Sequence, residues 1–371
     1  MTLRVLSVFG TRPEAVKMAP VVQQLKRTPG IESYVCVTAQ HRQMLDQVLK
    51  LFSITPDVDL DLMREDQSLP QLSAAIFTHL DPVLADIKPD WVLVQGDTTT
   101  VAITALLAYY HRIQVGHVEA GLRTHDKWQP FPEEINRRVA GVAADLHFAP
   151  TEWARKNLLR EGVSEKLIAL TGNPVIDALQ VVAAQPMPES IESLLKSLNA
   201  DGKRLILVTA HRRENFGEPL ESICEALKRL ASRGDVEIVY PVHLNPNVKE
   251  PVHRLLGNIP HVTLLPPLDY LPLVHLMKRA SLVLTDSGGI QEEAPAFGVP
   301  VLVLREVTER PEGVEAGTLK LVGTDAERIV SQAASLLDIP AEYAKMAKAV
   351  NPFGDGHASE RIVKALLDFQ G

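Results

Sequence analysis

Basic runs are missing from this chain. Its 38 Lys and Arg are outnumbered by 46 Asp and Glu, giving a formal net charge of −8, and no cluster of cations is dense enough to track a phosphodiester backbone. That balance argues against a nucleic-acid partner. Cysteine is scarce: Cys36 and Cys224 are far apart and form no CxxC pair, so they read as reduced core residues, in keeping with the cytosol. No apolar run approaches the roughly 18 residues that span a bilayer. The first residues lead directly into a strand, without a charged segment and cleavage site, so a cytoplasmic location is expected. Short-period repeats and low-complexity segments are absent as well.

What is present is ample core material, with 46% hydrophobic and 23% charged residues over 371 positions, enough for two or three domains. Strand-like and helix-like segments alternate along nearly the whole chain, the pattern of parallel sheets covered by helices. Strands are predicted at Arg4–Phe9, Tyr34–Thr38, Trp91–Gln95, Val115–Val118, Leu146–Ala149 and Leu167–Thr171. Breaker-rich stretches at 185–188 and 199–202 then precede a fresh series at Leu205–Thr209, Val236–Val242, Val262–Leu264, Leu282–Thr285 and Val301–Leu304. The expectation is an α/β protein of two Rossmann-like, doubly wound domains, 1–172 and 173–356, with a hinge near 172–175. A last helix, 357–371, is expected to complete the first domain.

Ligands of open parallel sheets sit beyond the carboxyl ends of the strands, and polar residues gather there. The stretch from Leu282 to Glu293 runs from a buried strand through Ser287-Gly288-Gly289 into a predicted helix, 290–297. Two glycines let a ligand approach, and unpaired helix N–H groups suit a phosphate. The plainer reading is a tight turn with Ser287 as N-cap. Arg12 and Lys17 follow the first strand, and a guanidinium grips phosphate through paired hydrogen bonds. Asp97 follows Trp91–Gln95 and reads equally well as a helix cap. His117 and Glu119 share one face of a strand; without a later cysteine pair or a compact ligand set, no metal is expected. Glu133 opens a predicted helix. Singly, Asp97, Glu119 and Glu133 read as structural; together they would supply proton transfer and cation stabilisation beside a departing phosphate. His211 heads a polar run after another buried strand.

These motifs occur together and in order: Gly10-Thr-Arg-Pro-Glu14, Gln95-Gly-Asp97, His117-Val-Glu-Ala-Gly-Leu-Arg123, Pro132-Glu-Glu-Ile-Asn-Arg137, Thr209-Ala-His-Arg-Arg-Glu-Asn215, Asp286-Ser-Gly-Gly289 with Glu292-Glu293, and Thr308-Glu-Arg-Pro-Glu312. In this the chain resembles the non-hydrolysing bacterial UDP-N-acetylglucosamine 2-epimerases from its first strand to its last helix. The resemblance implies a GT-B-like pair of domains with the active site in the cleft between them, a homodimer, and no metal or redox cofactor. It implies interconversion of UDP-N-acetylglucosamine and UDP-N-acetylmannosamine for surface polysaccharide synthesis. Carried over by position, Arg12, Ser287, Gly288 and Gly289 would hold the diphosphate, and Glu293 the ribose. His211 and Arg310 would contact the diphosphate or sugar, while Lys17, Asp97, Glu119 and Glu133 surround the reacting sugar. Gln40, His41, Gln43, Gln67, Arg212 and His243 resemble a second UDP-N-acetylglucosamine site for allosteric activation, with Asp66 where a basic residue is usual. A hydrolysing relative, a glycosyltransferase of the same fold and a non-catalytic nucleotide-sugar sensor are the competing classes.

Overall fold

A computed structural model describes residues 2–38, 42–64, 66–198 and 202–369, apart from the side chain of Gln43. The chain divides into two compact units, one of residues 1–178 with 353–371 and one of residues 179–352. These divisions, after 178 and 352, differ by a few residues from the 172 and 356 that the sequence suggests.

The first unit holds a seven-stranded parallel sheet of β1 (Leu3–Phe9), β2 (Ile31–Val37), β3 (Val58–Asp59), β4 (Trp91–Gln95), β5 (Gln114–Val118), β6 (Leu146–Ala149) and β7 (Ile168–Leu170). Its order is β3-β2-β1-β4-β5-β6-β7, so the winding reverses between β1 and β4. Strand β4 is buried at every residue, which explains its unbroken Trp-Val-Leu-Val run: a parallel strand covered by helices on both faces has no polar side. Two helices flanking this sheet start on capping boxes, Thr11 with Glu14 and Ser68 with Gln71, a pattern legible in sequence as Ser/Thr followed three residues later by Glu/Gln.

Residues 353–371 return to this first unit. The helix Ala358–Asp368 packs on the helix Arg12–Arg27, and Phe369 meets buried Trp91 edge-on with ring centroids 5.1 Å apart. Asp177 accepts hydrogen bonds from the backbone N–H groups of Ala358 (3.1 Å) and Ser359 (2.8 Å) and from the Ser359 hydroxyl. Asn173 N–H donates to the Phe353 carbonyl at 2.7 Å. These bonds draw the start of the helix Pro174–Ala183 into the first unit and carry its boundary past 172.

The second unit holds a six-stranded parallel sheet of β8 (Arg204–Thr209), β9 (Val236–Pro241), β10 (Val262–Leu265), β11 (Leu282–Thr285), β12 (Val301–Val303) and β13 (Leu319–Leu321), ordered β10-β9-β8-β11-β12-β13. The reversal falls between β8 and β11. Its core joins Ile206, Val208, Ile238, Tyr240, Leu284 and Leu302 of the sheet to Leu227 and Leu230 of the helix Glu218–Ala231.

Three local readings need correction. The predicted helix over 290–297 is an α-helix only from Gly288 to Glu293, and Ala294–Phe297 is 3-10. Pro295 has no N–H to donate back to residue 291, so the α pattern stops. The breaker-rich stretch ending at Pro188 is followed by an unforeseen helix, Glu189–Ser197, which starts directly after the proline, a position proline tolerates. The helix after β4 is capped by the Thr98 hydroxyl, not by Asp97.

Candidate active site

In the first unit the reversal point is tied by a carboxylate. Glu14, 2% exposed, accepts from the Gly10 and Thr11 N–H groups at 2.9 and 2.7 Å and from the Thr98 hydroxyl at 2.7 Å. Burial raises its pKa, against the pull of those bonds. One side chain therefore joins the turn that carries Arg12 to the turn that carries Asp97. Gly10 must be glycine for space, since a Cβ there would meet the Thr38 Oγ1 at 2.0 Å.

Glu119 follows β5 with φ +63°, an uncommon setting for a residue with a side chain. Its carboxylate receives Lys17 Nζ at 2.5 Å and Asn173 Nδ2 at 2.8 Å on Oε1, and Gln95 Nε2 at 2.5 Å on Oε2. Asp97 pairs with Arg137 Nη2. Arg137 also reaches Glu134, at 3.3 Å. Glu134 is fully buried and accepts from the Thr124 and His125 N–H groups; burial works against its charge, but these donors and Arg137 hold its pKa below the ordinary value. Glu133 opens the helix Glu133–Ala143, and its Oε2 is buried with no hydrogen-bond partner among the described residues. The structure thus joins Lys17 with Glu119 directly and gives Asp97 and Glu133 separate surroundings. Arg12 heads its helix half-buried.

His117 donates from Nε2 to the Gly96 carbonyl at 2.7 Å, bracing the turn before Asp97. Its neighbour across the β5–β6 register is His147. Burial drives His117 down to about 4 and His147 down to about 3. Unfolded, each titrates near 6.5. A depressed histidine stays neutral in the fold while the unfolded chain takes up a proton. Its stabilising share is therefore complete above about pH 6.5 and is lost as pH falls toward 4, by up to about 3 kcal/mol for His117. Urea midpoints of the wild type should fall between about pH 7 and pH 5, and His147→Leu should flatten that slope. Equal slopes would mean that His147 does not contribute.

In the second unit the reversal point is tied in the same manner. Asp286, fully buried, accepts on Oδ2 from the His211 and Arg212 N–H groups, both at 2.8 Å, and from Asn215 Nδ2 at 3.0 Å. His211 Nδ1 lies 3.6 Å from Asp286 Oδ1 and its ring stacks on that of His243, centroids 5.3 Å apart. Burial holds the His211 pKa below its ordinary value, with Asp286 opposing. Ser287 stands at the N-cap position of its helix but makes no side-chain capping bond. A Cβ on Gly288 would lie 3.7 Å from Arg310 Nη2 and 3.8 Å from Arg212 Nη2, so two guanidinium groups flank the glycine at the start of that helix. Arg310 is oriented by Glu292, which accepts from its Nε. Glu293 turns back toward the same turn, its Oε1 3.4 Å from a Cβ placed on Gly289. Ser287, Gly288, Gly289, Glu293, Arg310 and His211 are thereby gathered around one switch point. Arg212, assigned by position to the allosteric set, lies at that same turn.

Of the other allosteric candidates, Gln40 and His41 and the side chain of Gln43 lie outside the described residues. Gln67 belongs to the first unit, with its Oε1 buried and unbonded among the described residues, whereas Arg212 and His243 belong to the second. The sequence places Glu14, Gln95, Arg137 and Asp286 within its motifs but gives them no role of their own, and it does not single out Asn173. Glu14 announces itself as the fourth residue of a capping box, and Asp286 by its place directly after a buried strand. Among the described residues no group of three or more His, Cys, Asp or Glu is placed to hold a metal ion, and no helix is long and apolar enough to cross a membrane. Both cysteines are free and buried, which pushes each thiol up to about 12.

Two doubly wound parallel sheets, each with charged groups gathered where its strand order reverses, define a GT-B-like two-domain α/β protein. The model of the family described as UDP-N-acetylglucosamine 2-epimerase matches residues 23–367. The chain is 55% identical over 374 residues to the UDP-N-acetylglucosamine 2-epimerase of Salmonella typhimurium, covering 99% of both chains. Among solved structures, a putative UDP-N-acetylglucosamine 2-epimerase from Listeria monocytogenes superimposes with a TM-score of 0.92 at 49% identity, over 99% of this chain and 96% of that one. The UDP-GlcNAc 2-epimerase of Neisseria meningitidis, solved bound to UDP-GlcNAc, gives 0.88 at 48% identity, over 99% and 100%. This chain belongs to the UDP-N-acetylglucosamine 2-epimerase family.

Proposed function

We propose that this protein interconverts UDP-N-acetylglucosamine and UDP-N-acetylmannosamine without net hydrolysis. The observation that carries the reading is the set of acidic groups after adjacent strands β4 and β5, Asp97 and Glu119, with Glu133 on the helix that follows. The hydrogen on C2 of the sugar is not acidic beside an intact C1–O bond. As that bond stretches, C1 gains cationic character and the C2 hydrogen becomes removable. UDP departs with the bonding pair, the C2 proton passes to a carboxylate, and a C1–C2 double bond forms, giving 2-acetamidoglucal. A proton then returns to the opposite face of C2 and a UDP oxygen adds back to C1. Atoms and charge balance, with no redox step.

The second unit serves the leaving group. Arg212 and Arg310 beside Gly288 offer two guanidinium groups, Ser287 offers its hydroxyl, and Glu293 takes the ribose. Within the first unit Arg12 offers a guanidinium and Lys17 an ammonium charge, and within the second His211 offers its ring to the diphosphate or sugar. Preorganised donors aimed at developing negative charge are the largest lever available to such a reaction, and proton transfer by placed carboxylates adds a further ~10²–10⁴-fold. A homodimer, activation by a second UDP-N-acetylglucosamine through Gln40, His41, Gln43, Gln67, Arg212 and His243, and supply of surface polysaccharide synthesis in the cytoplasm belong to the same proposal.

The test is incubation with UDP-N-acetylglucosamine in heavy water, followed by proton NMR. Deuterium should enter C2 of both epimers with no net hydrolysis. Free N-acetylmannosamine with UDP would indicate the hydrolysing class. Intact substrate without exchange would indicate a sensor or a transferase awaiting an acceptor.

A further inference from the structure

Glu119 is held more closely than any role as a mobile base requires. It sits in the left-handed region, at φ +63°, with its side chain 5% exposed. Lys17 supplies charge, but two neutral amides share the work. Gln95, 2% exposed, is the last residue of β4 and pairs in register with Val118, next to Glu119. Its Nε2 reaches Oε2 at 2.5 Å. Asn173, 1% exposed, reaches Oε1 with Nδ2 at 2.8 Å.

The orientation of the Asn173 amide is fixed by its surroundings. Its Oδ1 accepts from the Val175 N–H at 3.2 Å, which leaves the NH₂ side to face the carboxylate; an amide has one accepting and one donating end. Its own N–H is tied to the Phe353 carbonyl at 2.7 Å. Gly96, beside Oε2, takes φ +81°, a backbone setting that side-chain-bearing residues rarely adopt, and a Cβ there would lie 3.6 Å from the carboxylate, in ordinary contact. Donors directed at both oxygens of a carboxylate favour its ionised form and restrict its rotation.

We propose that Gln95 and Asn173 are positioning residues for the C2 proton chemistry, fixing the Glu119 carboxylate as an oriented anion beside Lys17. The inference rests on the epimerase reading above and deepens it. The amides touch no substrate; they act through Glu119, whose charge must be present and correctly directed as C1 becomes cationic.

The experiment compares Asn173→Asp with Asn173→Leu in the full-length protein. A protonated Asp at 173 donates a hydrogen bond to Glu119 as the amide does. An ionised one sets two carboxylates against each other, and such pairs retain a shared proton to higher pH. Turnover of Asn173→Asp should therefore be about tenfold or more below wild type at neutral pH and recover on acidification. Asn173→Leu should stay low at every pH, and KM should remain within about threefold for both. A purely structural asparagine would give two variants that fall together, with no difference in pH profile, and that result overturns the inference. Wild-type turnover in both variants overturns it as well. If either variant melts below the assay temperature, Gln95→Glu and Gln95→Leu carry the same readout on the other oxygen. Wild-type protein without C2 exchange would instead reject the epimerase reading itself; an active wild type with unshifted variants rejects only the positioning role.

Discussion

Asp97→Asn should bind UDP and UDP-N-acetylglucosamine nearly as wild type does and turn over about 10²–10⁴-fold more slowly. Asn is isosteric and keeps an oxygen for Arg137, so the pair that holds Asp97 loses charge but not shape. Glu134 retains its backbone donors from Thr124 and His125 and its second arginine, Arg138, and the helix Glu133–Ala143 should stay seated. What the variant lacks is a group able to take or return a proton. The measurement is kcat by NMR together with calorimetric affinity for UDP. Turnover within about threefold of wild type would remove Asp97 from the mechanism.

Arg310→Ala should show two losses at once. Arg310 is oriented by Glu292, whose side chain is 2% exposed. Removing the arginine takes an ion pair from a buried carboxylate, which costs up to about 3–5 kcal/mol and should lower the melting temperature by several degrees. The same change removes one of the two guanidinium groups beside Gly288. Charge-assisted bonds of this kind contribute about 1.5–3 kcal/mol, so the dissociation constant for UDP should rise about 10- to 100-fold. The double variant Arg310→Ala with Glu292→Gln separates the effects: stability should recover in part and affinity should not. Recovery of both would mean that Arg310 acts only as the partner of Glu292.

The architecture was legible because both sheets are parallel and buried. Runs such as Trp91–Gln95 and Leu282–Thr285 have no polar alternation and are bounded by glycine turns, and both strands have the residues expected of them. What escaped were elements too short or too polar to carry a period. Val58–Asp59 is two residues long, and Leu319–Leu321 has an exposed lysine at its centre. The candidate site was legible as a set of strand-end residues, since those positions follow from where strands stop. Its internal wiring was not. That Lys17 reaches Glu119, 102 positions away, and that Asn173 reaches it from 54 positions on the other side, depends on helix placement, which no local pattern encodes. Asp97 looked like a cap because aspartate often is one; the neighbouring Thr98 takes that role and leaves the carboxylate to Arg137.

The return of residues 353–371 to the first unit has a bearing on how the chain acquires its structure during synthesis. Trp91 and Asp177 leave the ribosome well before Phe369 and Ser359, which cover and bond them. The second unit is in effect an insertion, in sequence, between the two pieces of the first. A fragment ending at residue 178 would leave Trp91 without its aromatic cover and the Asp177 carboxylate without its donors. A version of the first unit that keeps these contacts therefore needs both of its segments.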